Sequence, residues 1–295
     1  MIITEIGRGL GNSMYVYAAA LALAKHDHTE LKLDTTYLKS WPTWEKYGGL
    51  WEFELGKLNI TAQEASKKEI RKFVIKTGFR PIDKIIRKYK LFDRNVVYFP
   101  SHGSLDDFYK IPDNSYLRGY LGREKFFMDV KDQIKREFTL REEYRSPIMP
   151  LLNKISKENS ISLHVRRGDL LTLKNATVLD LSYYKKAIEI INKRVKNAKF
   201  YVFSDDIKWC KENLKDMGAE LYFIEDSDCP NTGYHVLEVM KLCKHNILAN
   251  SALSWWAGYL NPNPKKIVIA PKEFMQFTNV EKEEDRLPEG WIKIE

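Results

Sequence analysis

The residues with the most chemistry in the shortest span are His164-Val-Arg-Arg-Gly-Asp169, which close the apolar run Ile161–Val165. That run has the length and bounding of a short buried strand. Arginine is rarely buried unless it is paired, so Arg166 and Arg167 at a strand end ask for an anion, from the protein or from a ligand. By themselves they would suit bulk water equally well. Two further polar clusters follow apolar runs in the same way: Ser204-Asp-Asp206 after Lys199–Phe203, and Asn250-Ser-Ala-Leu-Ser254 after His245–Ala249.

The elements that must position these clusters form a regular alternation. Strand-like runs at 161–165, 199–203, 220–224, 245–249 and 266–270 alternate with helix-like runs at 182–195, 207–217, 234–243 and 251–260. Such alternation predicts an α/β unit with a parallel sheet covered on both faces. In an open parallel sheet, ligands bind beyond the carboxyl ends of the strands, so the three clusters share one rim. A helix start at Ser251 adds unpaired N–H donors and a positive dipole end. With Arg166 and Arg167 beside it, the rim suits a diphosphate, and Asp206 can accept from a purine edge or a ribose hydroxyl. A nucleotide diphosphate is the economical inference.

Each of these residues also has a structural use. Asp205 or Asp206 can cap the helix that begins at Ile207, and the two roles can coexist. His164 fits a core histidine. Trp255 and Trp256 fit helix packing, and Trp255 is also a candidate platform for a sugar. The acidic pair could suggest a metal, but two arginines already supply countercharge, so none is expected.

The amino-terminal half opens with a strand over Ile2–Ile6, the turn Gly7-Arg-Gly-Leu-Gly-Asn12 and an apolar helix over Met14–Lys25. Backbone N–H groups at such a turn can approach an oxygen-rich ligand. The spacing is neither the dinucleotide fingerprint nor a phosphate-binding P-loop. Residues 34–60, rich in Trp, Pro, Tyr and Gly, read as an irregular insertion. Ser115–Tyr120 reads as a strand and Lys125–Phe138 as a helix, and the prolines of Arg141–Pro150 mark the boundary between domains 1–146 and 147–295.

Composition bounds the rest. A chain of 295 residues, 44% hydrophobic, suits two globular domains. Three cysteines without ligand-like spacing fit a reducing compartment. The apolar run Tyr15–Ala24 has ten residues, about half a bilayer span, and lacks a basic leader, which points to the cytoplasm. Of the net charge of +8, a surplus of seven lies in residues 61–98, where eleven Lys and Arg face four acids. There Ile82, Ile85, Ile86 and Tyr89 recur at helical spacing between lysines and arginines. Such a helix either covers a core with a solvated face or lies on anionic lipid at the inner face of the membrane; specific nucleic-acid binding is not expected.

The motifs together resemble the α-1,2-fucosyltransferases of glycosyltransferase family 11. The matching stretches are Gly9-Leu-Gly-Asn12, Leu117-Arg-Gly-Tyr120 with Lys125-Phe-Phe127, His164-Val-Arg-Arg-Gly-Asp169, Phe203-Ser-Asp-Asp-Ile-Lys-Trp209, Cys243-Lys-His245, and Asn250-Ser-Ala-Leu-Ser-Trp-Trp256 with Leu260-Asn-Pro262. The resemblance implies a GT-B fold of two Rossmann-like domains facing a cleft, the carboxyl-terminal one holding the nucleotide sugar and the amino-terminal one on the acceptor side. It implies GDP-fucose as donor, a galactoside glycan, including a lipid-linked one, as acceptor, inversion at the anomeric carbon, and neither metal nor cofactor. By position, Arg166 and Arg167 match arginines that hold the GDP phosphates. His164 and Asp206 match guanine contacts, Ser251 and Ser254 match hydroxyls near the diphosphate, and Gly9, Gly11 and Asn12 match the amino-terminal loop. The chain departs from the family pattern at Ser13, at Thr232-Gly-Tyr-His235 and at Ala252-Leu253.

An inverting transfer needs a proton acceptor for the attacking hydroxyl. Asp169 is the first candidate, with an orienting salt bridge to Arg166 or Arg167 as its other use; Asp180 and Glu124 are further candidates. A transferase using another GDP-sugar or another linkage, and a non-catalytic guanine-nucleotide or nucleic-acid binding protein, are the rival expectations.

Overall fold

The computed structural model describes residues 1–7, 9–40, 52–75, 77, 79–91, 93–172, 177–274 and 286–295. The central part of the expected 34–60 insertion, 41–51, lies outside the described residues. The chain forms two compact units, Met1–Glu137 and Phe138–Glu295.

The first unit is built on a parallel sheet of β1 (Ile2–Glu5), β2 (Leu31–Asp34), β3 (Gln63–Glu64), β4 (Val96–Phe99) and β5 (Ser115–Gly119), in the order β3-β2-β1-β5-β4. Ile2 and Ile3 are fully buried, as expected of a central parallel strand covered on both faces. The helix after β1 runs Leu10–His26, starting four residues ahead of the expected Met14, so Gly11 and Asn12 lie in its first turn. Thirteen of its seventeen residues are buried, which explains why its sequence is apolar nearly all round.

The helix expected over Lys125–Phe138 is instead two 3₁₀ turns, Glu124–Phe126 and Met128–Val130, followed by a helix at Lys131–Glu137. Phe126 and Phe127 are both fully buried. Phe126 packs edge-on against Phe99, whereas Phe127 packs near Tyr15. The chain leaves helical geometry at Phe127 (φ −139°, ψ 15°) and so seats two consecutive aromatics in different places.

The second unit carries β6 (Asn159–Val165), β7 (Ala198–Ser204), β8 (Glu220–Phe223), β9 (His245–Ile247), β10 (Val268–Pro271) and β11 (Ile292–Ile294) in the order β11-β10-β9-β6-β7-β8, all parallel. β11 was not expected, because its three residues carry too little pattern to read. The long central pair β6 and β7 is in register from Asn159↔Ala198 to Val165↔Ser204. Helices Leu181–Asn192, Ile207–Asn213, Gly233–Leu242 and Ala252–Leu260 fill the intervals. Ile161, Leu163, Val165, Phe200, Val202 and Ile188 form the heart of one core layer. β9 is fixed to β6 by a buried, paired polar network: Asn246 Nδ2 donates to Ser162 Oγ and Asn261 Nδ2 to Asn246 Oδ1, both at 2.7 Å.

The division between units falls ahead of the expected boundary at 146/147, because the intervening residues pack with the second unit. Phe138 stands edge-on to Trp256, the Tyr144 carbonyl is bound by His235 Nε2 at 2.7 Å, and Arg145 pairs with buried Glu238 at 3.5 Å.

Candidate active site

Register builds the site. Because Val165 stands beside Ser204, the residues that follow each strand meet: Arg166-Arg-Gly-Asp169 on one side and Asp205-Asp206 on the other. Asp205 joins the two segments twice. Its Oδ1 accepts from the Arg167 backbone N–H at 2.9 Å, and its Oδ2 takes Arg166 Nη1 at 2.9 Å. The approach needs Gly168, since a Cβ there would collide with Asp205 Oδ2.

Arg166 is held from its other end by Asp169, whose Oδ1 accepts from Nη2 at 2.6 Å. Arg167 donates Nε–H to Asp206 Oδ2 at 3.3 Å, and its guanidinium lies over the Trp209 ring, 3.7 Å from the centroid. Asp206 also caps the following helix, its Oδ1 accepting from the Trp209 N–H at 3.2 Å. Capping and arginine binding therefore coexist in one carboxylate.

These ion pairs are partly exposed, so their worth lies in orientation more than in stability. A guanidinium has five N–H donors. Arg166 spends two of them on protein and Arg167 one, which leaves an array of preoriented donors at the rim.

Among the described residues, the buried polar atoms without a hydrogen-bond partner include His164 Nδ1, Tyr184 Oη and Asn250 Oδ1. Buried polar groups are nearly always paired, so each marks a place where a ligand or water can complete the set. Burial first, and the Arg166 charge second, push the His164 imidazole down to about 3, so the ring is neutral. Asn250 is tethered by Nδ2 to the Thr177 carbonyl at 3.2 Å, and the Tyr183 hydroxyl holds the Leu248 carbonyl at 2.7 Å. The end of β9 and the turn after it are thus fixed in place.

The remaining expected residues divide. Ser251 precedes the helix Ala252–Leu260 and makes no side-chain cap bond, so its half-buried hydroxyl remains available. Ser254 is different: its buried Oγ donates within the turn, 3.2 Å from the Ala249 carbonyl and 3.1 Å from that of Ser251, and it accepts from the Ala249 N–H. It shapes the 249–254 turn rather than facing a ligand. Trp255 is a correction to the platform expectation. It is fully buried, stacks on Tyr259 at 4.8 Å and donates Nε1–H to the Arg286 carbonyl at 2.9 Å, so it is core.

Among the candidate bases, Asp169 is engaged by Arg166, which matches its orienting use. Asp180 caps the helix Leu181–Asn192, accepting from the Ser182 hydroxyl and the Tyr183 N–H, and these bonds hold its carboxyl below the ordinary range. Glu124 lies in the first unit, in the 3₁₀ turn ahead of Phe126. In that unit Gly9 is the extended residue before the helix Leu10–His26, and Ser13 Oγ donates back to the Gly7 carbonyl at 3.2 Å, closing the turn expected to face a ligand.

Sequence reasoning missed the bridging role of Asp205 and the ring of Trp209 beneath Arg167. The only signal for either was the pairing of β6 with β7, which brings residues 38 or more apart in the chain into contact.

A parallel sheet whose rim offers preoriented guanidinium donors beside unpaired buried polar atoms has the chemistry to receive an anionic ligand such as a diphosphate. The family model for "Glycosyl transferase family 11" matches residues 1–295, and the chain belongs to that family; it is a glycosyltransferase. Among curated relatives, the "Alpha-1,2-colitosyltransferase" of Escherichia coli is 30% identical, with 100% of this chain and 99% of that one covered. "Galactoside alpha-(1,2)-fucosyltransferase 1" of Bos taurus is 30% identical over 49% of this chain and 43% of its own length. Among solved structures, fucosyltransferase NodZ from Bradyrhizobium superposes with a TM-score of 0.54, and NodZ α-1,6-fucosyltransferase soaked with GDP-fucose with a TM-score of 0.53. The GDP-fucose-soaked one is 14% identical and covers 88% of this chain and 92% of that one. The fold is the GT-B fold of those fucosyltransferases.

Proposed function

We propose that this family 11 glycosyltransferase moves L-fucose from GDP-fucose to the 2-hydroxyl of a galactoside in a glycan, forming an α-1,2 linkage with inversion at the anomeric carbon. The observation that carries the reading is the pair Arg166 and Arg167, held by Asp169, Asp205 and Asp206 with most of their N–H donors unspent. The names of the relatives supply the sugar and the linkage.

The chemistry follows from charge. As the fucosyl–phosphate bond breaks, its electron pair passes to the β-phosphate of GDP and the sugar gains oxocarbenium character. Arg167 and Arg166 meet that growing negative charge with donors already in place, at no reorganisation cost. His164 Nδ1 and Asp206 serve guanine, and Asn250 and Ser251 serve the ribose–diphosphate side. Asp169 orients Arg166, while the 2-hydroxyl oxygen bonds to the anomeric carbon and its proton passes to a carboxylate, Asp180 or Glu124 being the remaining candidates. The first unit takes the acceptor. With guanidinium countercharge in this arrangement, the reaction needs no metal. The reading carries a location with it: a lipid-linked acceptor is met at the inner face of the membrane, with the chain in the cytoplasm and peripheral to the bilayer.

A second reading, the same linkage with a different GDP-sugar, is favoured by the full-length match to a colitosyltransferase. Incubation with a panel of GDP- and UDP-sugars and a β-galactoside, with and without EDTA, separates the two. GDP release and a 2-linked fucosyl product from GDP-fucose, unchanged by EDTA, is expected. Turnover of another GDP-sugar with GDP-fucose inert would replace the first reading by the second.

A further inference from the structure

Eleven large hydrophobic side chains are exposed among the described residues, and six of them fall between Ile75 and Leu91. The helix Arg80–Tyr89 carries the densest part. Ile82 is 46% exposed, Ile85 52% and Tyr89 61%, and Phe79 just before the helix is 61% exposed. At about 100° per residue, Ile82, Ile85 and Tyr89 fall within about 60° of arc. Ile86, next to that stripe, is buried and ties the helix to its unit. Exposed Lys84 and Lys88 begin about 60° further round the helix. Exposed Lys90 follows it, with its ammonium 4.3 Å above the Tyr98 ring.

The acids of the segment do not cancel this charge at the stripe. Asp83 is engaged by the Thr77 N–H at 2.6 Å and its hydroxyl at 2.7 Å, and Asp93 accepts from the Tyr98 hydroxyl at 2.9 Å. The 61–98 segment as a whole holds a surplus of seven positive charges out of the net eight of the chain.

We infer that the apolar stripe Phe79, Ile82, Ile85 and Tyr89, flanked by Lys84, Lys88 and Lys90, docks the protein on an anionic lipid surface. An exposed aliphatic and aromatic face bordered by lysines is the pattern of a helix that lies in the headgroup region, its apolar side in the acyl boundary and its ammonium groups on anionic headgroups. No helix among the described residues is long and apolar enough to cross a membrane, so this one lies on the surface rather than spanning it. RNA would use the lysines but leave the isoleucines uncovered, since bases stack on aromatic rings and not on aliphatic side chains. A second copy would bring two strongly basic surfaces together.

The inference rests on the reading above for an acceptor met at a membrane. Vesicle binding is measured without donor or acceptor, so either can fail while the other stands. The full chain is floated with vesicles of phosphatidylcholine alone and of phosphatidylcholine mixed with phosphatidylglycerol, at low and high salt. Binding to the mixed vesicles is expected, weaker by about tenfold or more on neutral ones. Ile82→Glu with Ile85→Glu should abolish it while circular dichroism and turnover of a soluble acceptor stay as in the wild type. Lys84→Glu with Lys88→Glu should erase the preference for anionic lipid. Absence of binding to the mixed vesicles overturns the inference. So does unchanged binding by the isoleucine double variant, salt-sensitive RNA binding in place of vesicle binding, or a dimer in light scattering that the isoleucine variant dissolves.

Discussion

Replacing Arg167 by Lys keeps the positive charge and removes geometry, so it isolates what the planar fork contributes. The lysine loses the Nε–Asp206 bond at 3.3 Å, the stacking on Trp209 at 3.7 Å, and the paired terminal N–H groups. Removing one preorganised donor from a developing charge costs about 10²–10³ in rate. The ammonium that remains recovers part of this, so kcat should fall by about 10², equivalent to about 2.7 kcal/mol of barrier. Folding should suffer much less. Lost cation–π contact is worth about 1 kcal/mol, and the partly exposed pair with Asp206 about 0.2–1 kcal/mol. For a chain of this size that is a melting shift of only a few degrees, roughly 2–4 °C per kcal/mol. Initial rates of GDP release at saturating donor and acceptor, set beside a thermal melt of the same preparation, test both halves. A kcat within about threefold of wild type would refute the role given to Arg167. So would a variant that no longer melts cooperatively, because Arg167 would then be holding the fold.

Other perturbations bear on neighbouring residues. Gly168→Ala should weaken donor binding and leave the melt nearly unchanged, since its Cβ displaces Asp205 from Arg166 at the partly exposed rim; an unaltered donor KM would contradict that. Asp169→Asn should lower kcat by about tenfold without moving the pH profile, because the amide oxygen can still accept from Arg166; a collapse of about 10³ or a lost pH limb would restore Asp169 as the proton acceptor. Trp255→Phe should lower the melting temperature, through loss of the bond to the Arg286 carbonyl, and keep donor KM within about twofold; a large KM change would return it to the donor site. His164 is held at about 3 in the fold against an ordinary value of 6.5, so the unfolded chain takes up its proton first. Its contribution to stability is intact above pH 6.5 and is lost as pH falls toward 3, by up to about 1.4 kcal/mol per unit. In urea titrations at pH 7, 6 and 5, His164→Gln should therefore lose less stability on acidification than the wild type, with the smaller contribution of depressed His245 common to both. Equal slopes would rule the explanation out.

Much of the second unit was legible because its signals are local. An apolar run ending in Arg-Arg-Gly-Asp fixes both a strand and the i, i+3 pair of Arg166 with Asp169. Asp206 immediately before Ile207 announces a helix cap. What could not be read were contacts that depend on which strands are neighbours: Asp205 reaching Arg166 and Arg167, and Trp209 lying under Arg167. Short elements were also lost. β3 has two residues and β11 three, too few for any periodicity. The expected helix at 125–138 holds only over Lys131–Glu137 for a different reason, since burial of Phe126 and Phe127 together outweighs a helical pattern in its first part. Trp255 had two uses on paper, and only its full burial settled them.

Trp209 deserves a last consequence. Its indole is in van der Waals reach of the guanidinium proposed to grip phosphate, and it sits on the helix that Asp206 starts, half-buried at the edge of the core. Any oxygen that pulls Arg167 toward it alters the field across that ring. The protein thus carries its own fluorophore at the proposed point of nucleotide capture, and a change in the colour or intensity of its emission on adding GDP is the expected sign of binding there.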